Sequence, residues 1–358
     1  MSYIISGIQQ VGIGVPDVDS AWAWYRRHFG MDVPVFRDAA DAPLMTRYTG
    51  GAVHARDALL ALNLQGGAGM EIWQYTSRKP SAPSFEVRLG DLGLLATRIK
   101  ARDVAAAWRR FDNDGLDLLG EPVRDPAGRP HCFVRDPGGL LFDIVAGDGW
   151  FANGRHPTGG PSGCLIGVSD TERSLPLYQD LLGYDKVVYD RQGVFPDLHP
   201  LPGGNRRVRR LLLAQTQPRQ GPFSRLFGPS ELELVQALDD VPRRIFGDRY
   251  WGDLGFIHLC FDVTGMDALK SACAAAGFPF SVDSHDSFDM GEAAGRFSYI
   301  EDPDGTLIEF VETHRLPLLG KLGWNLDMRK RSPAKPLPRW MIKALALNRV
   351  RDRSNDTP

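Results

Sequence analysis

Asp136-Pro137-Gly138-Gly139 leading to Leu141-Phe142-Asp143-Ile144-Val145, and Asp302-Pro303-Asp304-Gly305 leading to Leu307-Ile308-Glu309-Phe310-Val311, are one phrase written twice in a chain of 358 residues. Each is a proline-containing turn that feeds an apolar strand, and both strands place a carboxylate at the same offset from the turn. A second pair of endings matches as well, Glu71-Ile72-Trp73-Gln74 against Glu233-Leu234-Val235-Gln236. Repetition on this scale decides the architecture ahead of any local assignment.

Working outward from the four endings, four matching beginnings appear. In the first, Val11, Ile13 and Val15 alternate as in a half-buried strand, and Val18, Trp22, Tyr25 and Phe29 then recur at helical spacing before Gly30. In the second, Val104, Trp108 and Phe111 form the apolar stripe and Gly115 closes it. The third runs from Leu165, Ile166 and Val168 into Leu177, Tyr178 and Leu181, stopping at Gly183. The fourth runs from Ile257, Leu259, Phe261 and Val263 into Leu269 and Cys273, stopping at Gly277. Glycine suits these stops because the residue after a helix often takes a left-handed conformation. The chain therefore reads as four modules of strand, helix and three further strands, each long module followed by a short one.

Four such modules with Asp-Pro-(Gly/Asp)-Gly turns resemble the vicinal oxygen chelate superfamily, the glyoxalase, bleomycin-resistance and extradiol-dioxygenase group, over roughly residues 5 to 315. The resemblance implies an α+β fold in which paired modules curl their sheets into two open cups. It implies one domain over residues 1–150 holding modules one and two, a second over 151–320 holding modules three and four, and a basic tail over 321–358 with one helix. It also implies a metal held by the first and last strands of the modules. Carried across, the first module offers Gln10 and Glu71 and the fourth offers His258 and Glu309. The second has Leu94 or Leu95 with Asp143, and the third has Gly163 with Glu233. Pairing one with four and two with three gives one cup the full set and depletes the other. Pairing one with two and three with four gives partial sets, with a weaker site from Gln10, Glu71 and Asp143. The first pairing is preferred because it concentrates the chemistry.

A Gln, Glu, His, Glu set is similar to the metal site of glyoxalase I and of related epimerases. It is a hard, mostly oxygen site with one imidazole, which suits one divalent ion among Zn, Ni, Mn, Fe, Co and Mg. The resemblance implies a small-molecule substrate with vicinal oxygens, such as a hydroxy-ketone, and an isomerase, epimerase or lyase step by proton abstraction beside a polarised carbonyl or hydroxyl. Glu309 is the expected general base and Glu71 its counterpart on the opposite face. Two alternatives stand beside this. An extradiol ring-cleaving dioxygenase requires two histidines and one carboxylate, but Gln10 and Gly163 stand where histidines would be. A metal-free small-molecule binder of the resistance type would use an aromatic cup near Trp73 and Tyr75.

Taken singly, each residue has a plainer reading. One His on an apolar strand is more often a satisfied core residue than a ligand, Gln9 could replace Gln10 one register away, and an alternating strand could point Glu71 and Glu309 at water. The two carboxylates lie between Met70 and Ile72 and between Ile308 and Phe310, however, and a buried carboxylate needs a partner or a metal. It is the four together, at matching module positions, that favour a metal site.

Other features bound the reading. Arg206, Arg207, Arg209 and Arg210 precede the apolar run Leu211–Leu213 and read as a solvated loop, or as a clamp for a substrate phosphate or carboxylate. His28 falls at a helix C-terminus, where a cation is favoured. His54, His131 and His285 have no spacing partner. A formal net charge of −2 leaves no footprint for nucleic acid. Cys132, Cys164, Cys260 and Cys273 form no C-x-x-C pair and suit reduced thiols. With no basic, apolar leader at Met1–Ser6 and no run near the ~20 apolar residues of a membrane span, a cytoplasmic location is expected. The family's habit of pairing edges allows a homodimer. From Lys321 the chain is basic and proline-punctuated. Pro338 marks a helix start, and Trp340, Ala344 and Leu347 are expected to share the face that packs on the protein or a second subunit. Asp352–Pro358 are expected to be disordered.

Overall fold

The apolar opening strands of the modules pair with one another at the centre of two sheets. In the computed structural model, which describes residues 2–285, 288–290, 293–319 and 324–351, Ile4–Gly14 runs antiparallel to Gly255–Thr264. Gly93–Ala101 likewise runs antiparallel to Thr158–Gly167. Module one therefore joins module four, and module two joins module three. Each half of the chain, 1–150 and 151–320, supplies one module to each sheet.

From edge to edge the first sheet runs Val282–Asp283, Ala293–Glu301, Leu307–Leu319, Gly255–Thr264, Ile4–Gly14, Gly69–Tyr75, Ala55–Leu62, Val33–Asp41. The second runs Lys186–Gly193, Val208–Ala214, Glu231–Ala237, Thr158–Gly167, Gly93–Ala101, Leu141–Ala146, Pro130–Arg135, Asp117–Leu118. Both are curled, and together they form the two cups of a mixed α+β fold.

The expected helices follow the opening strands. Val18–Phe29 is capped by Asp17, whose side chain accepts from Ser20 N, and ends at Gly30 with φ 65°. Val104–Asn113 is capped by Asp103 in the same way. In module three the helix Thr171–Leu175 meets Pro176, which has no N–H to continue the ladder, and loosens into a π-helical turn over Pro176–Leu181. Met266–Ala275 completes the set. One apolar core takes residues from all four helices and from both sheets, including Phe29, Phe111, Tyr178 and Leu269. The helices are thus the layer that joins the sheets, which leaves the opposite face of each sheet free to form a cup.

Tyr25 of the first helix donates to Asp136 Oδ2 at 2.6 Å, and Tyr178 donates to Asp302 Oδ2 at 2.9 Å. The other oxygen of each aspartate accepts from backbone N–H groups of its own turn, Leu140 for Asp136 and both Asp304 and Thr306 for Asp302. The repeated Asp-Pro-x-Gly phrase is a turn held at both carboxylate oxygens.

The C-terminal helix is short, Arg339–Ala344, and is followed by a 3-10 turn over Leu345–Asn348. It packs on the protein itself, as expected, but through another face. Ile342 and Leu345 are buried, whereas Trp340 and Leu347 are 56% and 69% exposed. The packed stripe is Ile342 with Leu345, three positions apart, and Trp340 stands on another side of the same helix. Residues 352–358, expected to be disordered, lie outside the described residues. Among the described residues, no helix is long and apolar enough to cross a membrane.

Candidate metal centre

Strand alternation places the two carboxylates. Met70 and Ile72 point into the shared helical core, so Glu71 and Trp73 face the other way, and Ile308 and Phe310 do the same for Glu309. That other face is the interior of the first cup, and both glutamates are buried there. In register, Glu71 lies opposite Gly12, two residues after Gln10, and Glu309 lies opposite Cys260, two residues after His258. Modules one and four therefore present the same two positions to one place.

A β-bulge settles the choice between the two glutamines. Ile8 pairs with Phe261 and Gln10 with Cys260, so Gln9 is the extra residue on its strand. Gln10 turns to the carboxylates while Gln9 reaches Asp262, with Nε2 3.4 Å from Oδ1. Gly12 is paired with His258, and a Cβ on it would come 2.4 Å from His258 Cε1. The missing side chain is what gives the imidazole its place.

The four polar groups meet. His258 Nε2 is 3.2 Å from Glu71 Oε2 and 3.0 Å from Glu309 Oε2. Gln10 Nε2 is 3.1 Å from the same Glu71 oxygen and 3.4 Å from Glu309 Oε2. One ligand atom each from Glu71, His258 and Glu309 fits within 4.8 Å of the others. On the far side of the ring, His258 Nδ1 is 3.4 Å from Tyr299 Oη, and the Tyr299 ring meets the imidazole edge-on.

The chemistry of this donor set fits a divalent cation. His258 Nε2 is buried and, despite its two near carboxylates, makes no hydrogen bond of acceptable geometry. Gln10 Oε1 is also buried without a partner, and a half-turn of the amide would bring that oxygen to the carboxylates in place of Nε2. Charge points the same way. Burial alone would disfavour the imidazolium, but Glu309 and then Glu71 outweigh it and hold His258 up to about 10. Burial raises the Glu309 carboxyl while His258 draws it down more strongly, so it lies below its ordinary value. Even with the ring protonated, two carboxylates against one imidazolium leave a buried negative charge. Among the described residues no lysine or arginine pairs with either glutamate. A dication with a neutral ring brings the total to zero.

The second cup shows the opposite solution. Asp143 pairs in register with Arg98, so the position two residues earlier is Ala96. Neither Leu94 nor Leu95 stands at the first ligand position of module two, because the apolar run Leu94–Ala96 gives no sign of its own register. Module three does present Gly163 there, with Glu233 opposite Leu165. The carboxylates are answered by the protein's own cations. Arg98 donates to Glu233 and lies 3.4 Å from Asp143. Arg210 donates to Glu233 at 2.5 Å and to Asp197 at 2.6 Å. His131 sits 2.8 Å from Asp143 and 3.3 Å from Asp197, and these neighbours overcome the penalty of burial to raise it to about 9. Three positive groups face three negative ones, all buried.

Several sequence readings change here. Arg210 is neither a solvated loop residue nor a clamp. Arg206 and Arg207 do lie in the loop before the Val208–Ala214 strand, as expected, and pair with Asp240 and Asp239, while Arg209 lies on the strand and pairs with Asp190 and Glu172. His28 is buried 3.5 Å from Asp114, and burial lowers its pKa in spite of that carboxylate and the helix terminus. Trp73 lines the first cup, while the Tyr75 hydroxyl is committed to the Trp251 carbonyl. Gly12, Tyr299 and Arg98 were not singled out from sequence. A glycine inside an apolar strand is a signal of close approach and could have flagged Gly12, whereas Tyr299 and Arg98 carry no such mark.

The family model described as the Glyoxalase/Bleomycin resistance protein/Dioxygenase superfamily matches residues 7–144 and again 161–310. Among curated proteins no sequence matches the chain. Among solved structures, glyoxalase I from Zea mays is similar with a TM-score of 0.52 at 16% identity, over 87% of this chain and 92% of that one. A protein of Bacillus subtilis subsp. subtilis str. 168, provisionally assigned as a dioxygenase, is similar with a TM-score of 0.53 at 12% identity, over 86% of each chain. These two likenesses are of fold, and the family match extends over most of the chain in two tandem segments. The chain belongs to the glyoxalase, bleomycin-resistance and dioxygenase superfamily, whose repeat its four modules follow.

Proposed function

We propose that this protein is a metal-dependent isomerase, epimerase or lyase that moves a proton at a carbon next to a chelated carbonyl or hydroxyl. The observation that carries this reading is the convergence of Gln10, Glu71, His258 and Glu309 on one buried point, three of them lining a cavity with His258 behind them. A divalent cation held there would polarise the substrate oxygen and make the neighbouring C–H more acidic. Glu309, buried in the same centre, takes the proton as the C–H bond breaks and returns it to the same or the adjacent carbon. Glu71 lines the same cavity and is the counterpart that delivers a proton from the other face in an epimerisation. Tyr299 holds the His258 ring from its far side.

The test is elemental analysis of protein purified without chelator, run on wild type and His258→Ala, together with NMR of deuterium uptake from D2O into α-hydroxyketones. The expected outcome is about one equivalent of metal in wild type and loss of it in His258→Ala, with Glu309→Gln keeping most metal while exchange stops. Full occupancy in His258→Ala would remove the site assignment. A second reading, a metal-free binder of aromatic ligands, is favoured by the apolar lining of the cavity. It gains if wild type takes up no Mn, Fe, Ni or Zn yet keeps ligand affinity. The ring-cleaving alternative has less support, since the grouping holds one imidazole rather than two. Four buried free thiols support the cytoplasmic location that goes with this reading.

A further inference from the structure

Above the four converging groups lies a cavity of about 160 Å³, and its walls are unlike its floor. Phe36, Trp73, Trp251 and Phe297 line one side; Phe227 and Leu345 belong to the other. Gln9 and both cations in the wall are already engaged. Arg56 is paired with Asp38 at 2.8 Å. Arg296 is held by Asp267 at 2.6 Å and Asp283 at 2.9 Å. Gln9 is bonded to Asp262. Asp41 is exposed and would repel an anion. A substrate carboxylate or phosphate entering here would find no uncommitted cation among these lining residues, and would approach a floor that is itself negative.

Part of the wall comes from outside the four modules. Leu345 belongs to the C-terminal tail, which is fastened at several points. Leu337 N donates to the Pro222 carbonyl at 2.8 Å, Val350 N donates to the Asp32 carbonyl at 2.9 Å, and Arg349 pairs with Asp32 at 3.0 Å. Leu345 packs with Val33, Leu62, Phe223 and Phe227, of which the last two come from the insert before the Glu231–Ala237 strand. The repeated fold sets the floor, and the tail with this insert sets the ceiling.

We infer that the substrate joins its pair of chelating oxygens to an uncharged, apolar body of about one aromatic ring, and that Leu345 is a residue that selects for that body. The size follows from the cavity, since an apolar space of about 150 Å³ is what accommodates benzene. The chelating end rests on the metal-centre reading above; the apolar end rests on the walls alone.

The test uses full-length protein loaded with Mn²⁺ and calorimetric titration with three uncharged or charged probes. These are 2-hydroxyacetophenone, hydroxyacetone, which lacks the ring, and the 4-carboxy derivative of 2-hydroxyacetophenone. The ring compound should bind at least about ten-fold more tightly than either other probe. Leu345→Ala should weaken it and leave hydroxyacetone unchanged, and Val35→Arg, which places a free cation in the wall, should restore affinity for the carboxylated probe. Equal binding of 2-hydroxyacetophenone and hydroxyacetone overturns the proposal. So does equal binding of the carboxylated probe by wild type, or unaltered ring binding by folded Leu345→Ala. Acetophenone, which has no hydroxyl to chelate, is titrated against His258→Ala as the separating control. If it still binds while wild type holds no metal, the metal reading has failed and the wall proposal has survived.

Discussion

Tyr178 donates its phenolic hydrogen to Asp302 across 124 positions of sequence, and Tyr25 does the same for Asp136 across 111. In each half of the chain the helix of one module thereby grips the turn of the next, although the two modules lie in different sheets. Removing either hydroxyl leaves a buried aspartate oxygen unanswered, so Tyr178→Phe and Tyr25→Phe should each cost about 1–3 kcal/mol of stability. The two pairs share no partner, and the losses should add in the double variant. Urea unfolding of the four proteins decides it, and unchanged midpoints would show that the turns hold without the tyrosines.

Asp262 gives the pH dependence. It is buried, its Oδ2 has no partner, and burial pushes its carboxyl up to about 7 from an ordinary 3.8. The folded protein therefore binds this proton more tightly than the unfolded chain does. The cost is absent below about pH 4, grows as pH rises toward 7, and is complete above it. Asp262→Asn should stabilise the protein by about 1–3 kcal/mol at about pH 8 and leave it nearly unchanged at about pH 4. Thermal melts at the two pH values would contradict this if the variant gained nothing on the alkaline side.

Gly12→Ala tests the space made for His258. The added Cβ would sit 2.4 Å from His258 Cε1 and 2.6 Å from Nε2, so the ring must move away from the two carboxylates. Metal affinity is expected to fall about 10–100-fold, the range typical of lost orientation around a ligand. Competition with a chelator reads it directly, and wild-type affinity in a folded Gly12→Ala protein would mean that the imidazole is not where the metal binds.

In the second cup Arg98 balances Glu233 and Asp143 with no solvent to help. Arg98→Met should cost about 3–5 kcal/mol, because it leaves three buried carboxylates facing only Arg210 and His131. Adding Glu233→Gln to it should recover part of the loss. A double variant no better than the single one would show that the network is not a charge balance.

The repeat made most of the fold legible. The turns Asp136–Gly139 and Asp302–Gly305 and the glycine stops at Gly30, Gly115, Gly183 and Gly277 are local features, and each glycine stop has the positive φ that the sequence suggested. The meeting of Gln10 and Glu71 with His258 and Glu309 followed from module positions once one was paired with four. What the sequence hid was register. The bulge at Gln9 and the slip from Leu94 to Ala96 are each set by the neighbouring strand, and a run of apolar residues looks the same in either register. The fate of Arg210 was hidden for a related reason, since its partners Glu233 and Asp197 come from other strands and loops. The tail was read correctly as a helix and wrongly as to its face, because Ile342 with Leu345 and Trp340 with Ala344 and Leu347 are both apolar stripes at helical spacing, and composition does not say which one packs.

The module pairing nests one partnership inside another, in the manner of brackets: the inner pair, two and three, lies between the members of the outer pair, one and four. During synthesis the inner sheet has its last strand, Glu231–Ala237, before any strand of module four has been made, and Gln10 must wait for Glu309, 299 positions later. Until Gly255–Thr264 has been made, the Ile4–Gly14 strand has a bare edge. A message truncated within the last module would release a chain with one finished cup and one open one, prone to join its edge to another such chain. The four converging groups are thereby assembled only once the fourth module has been made.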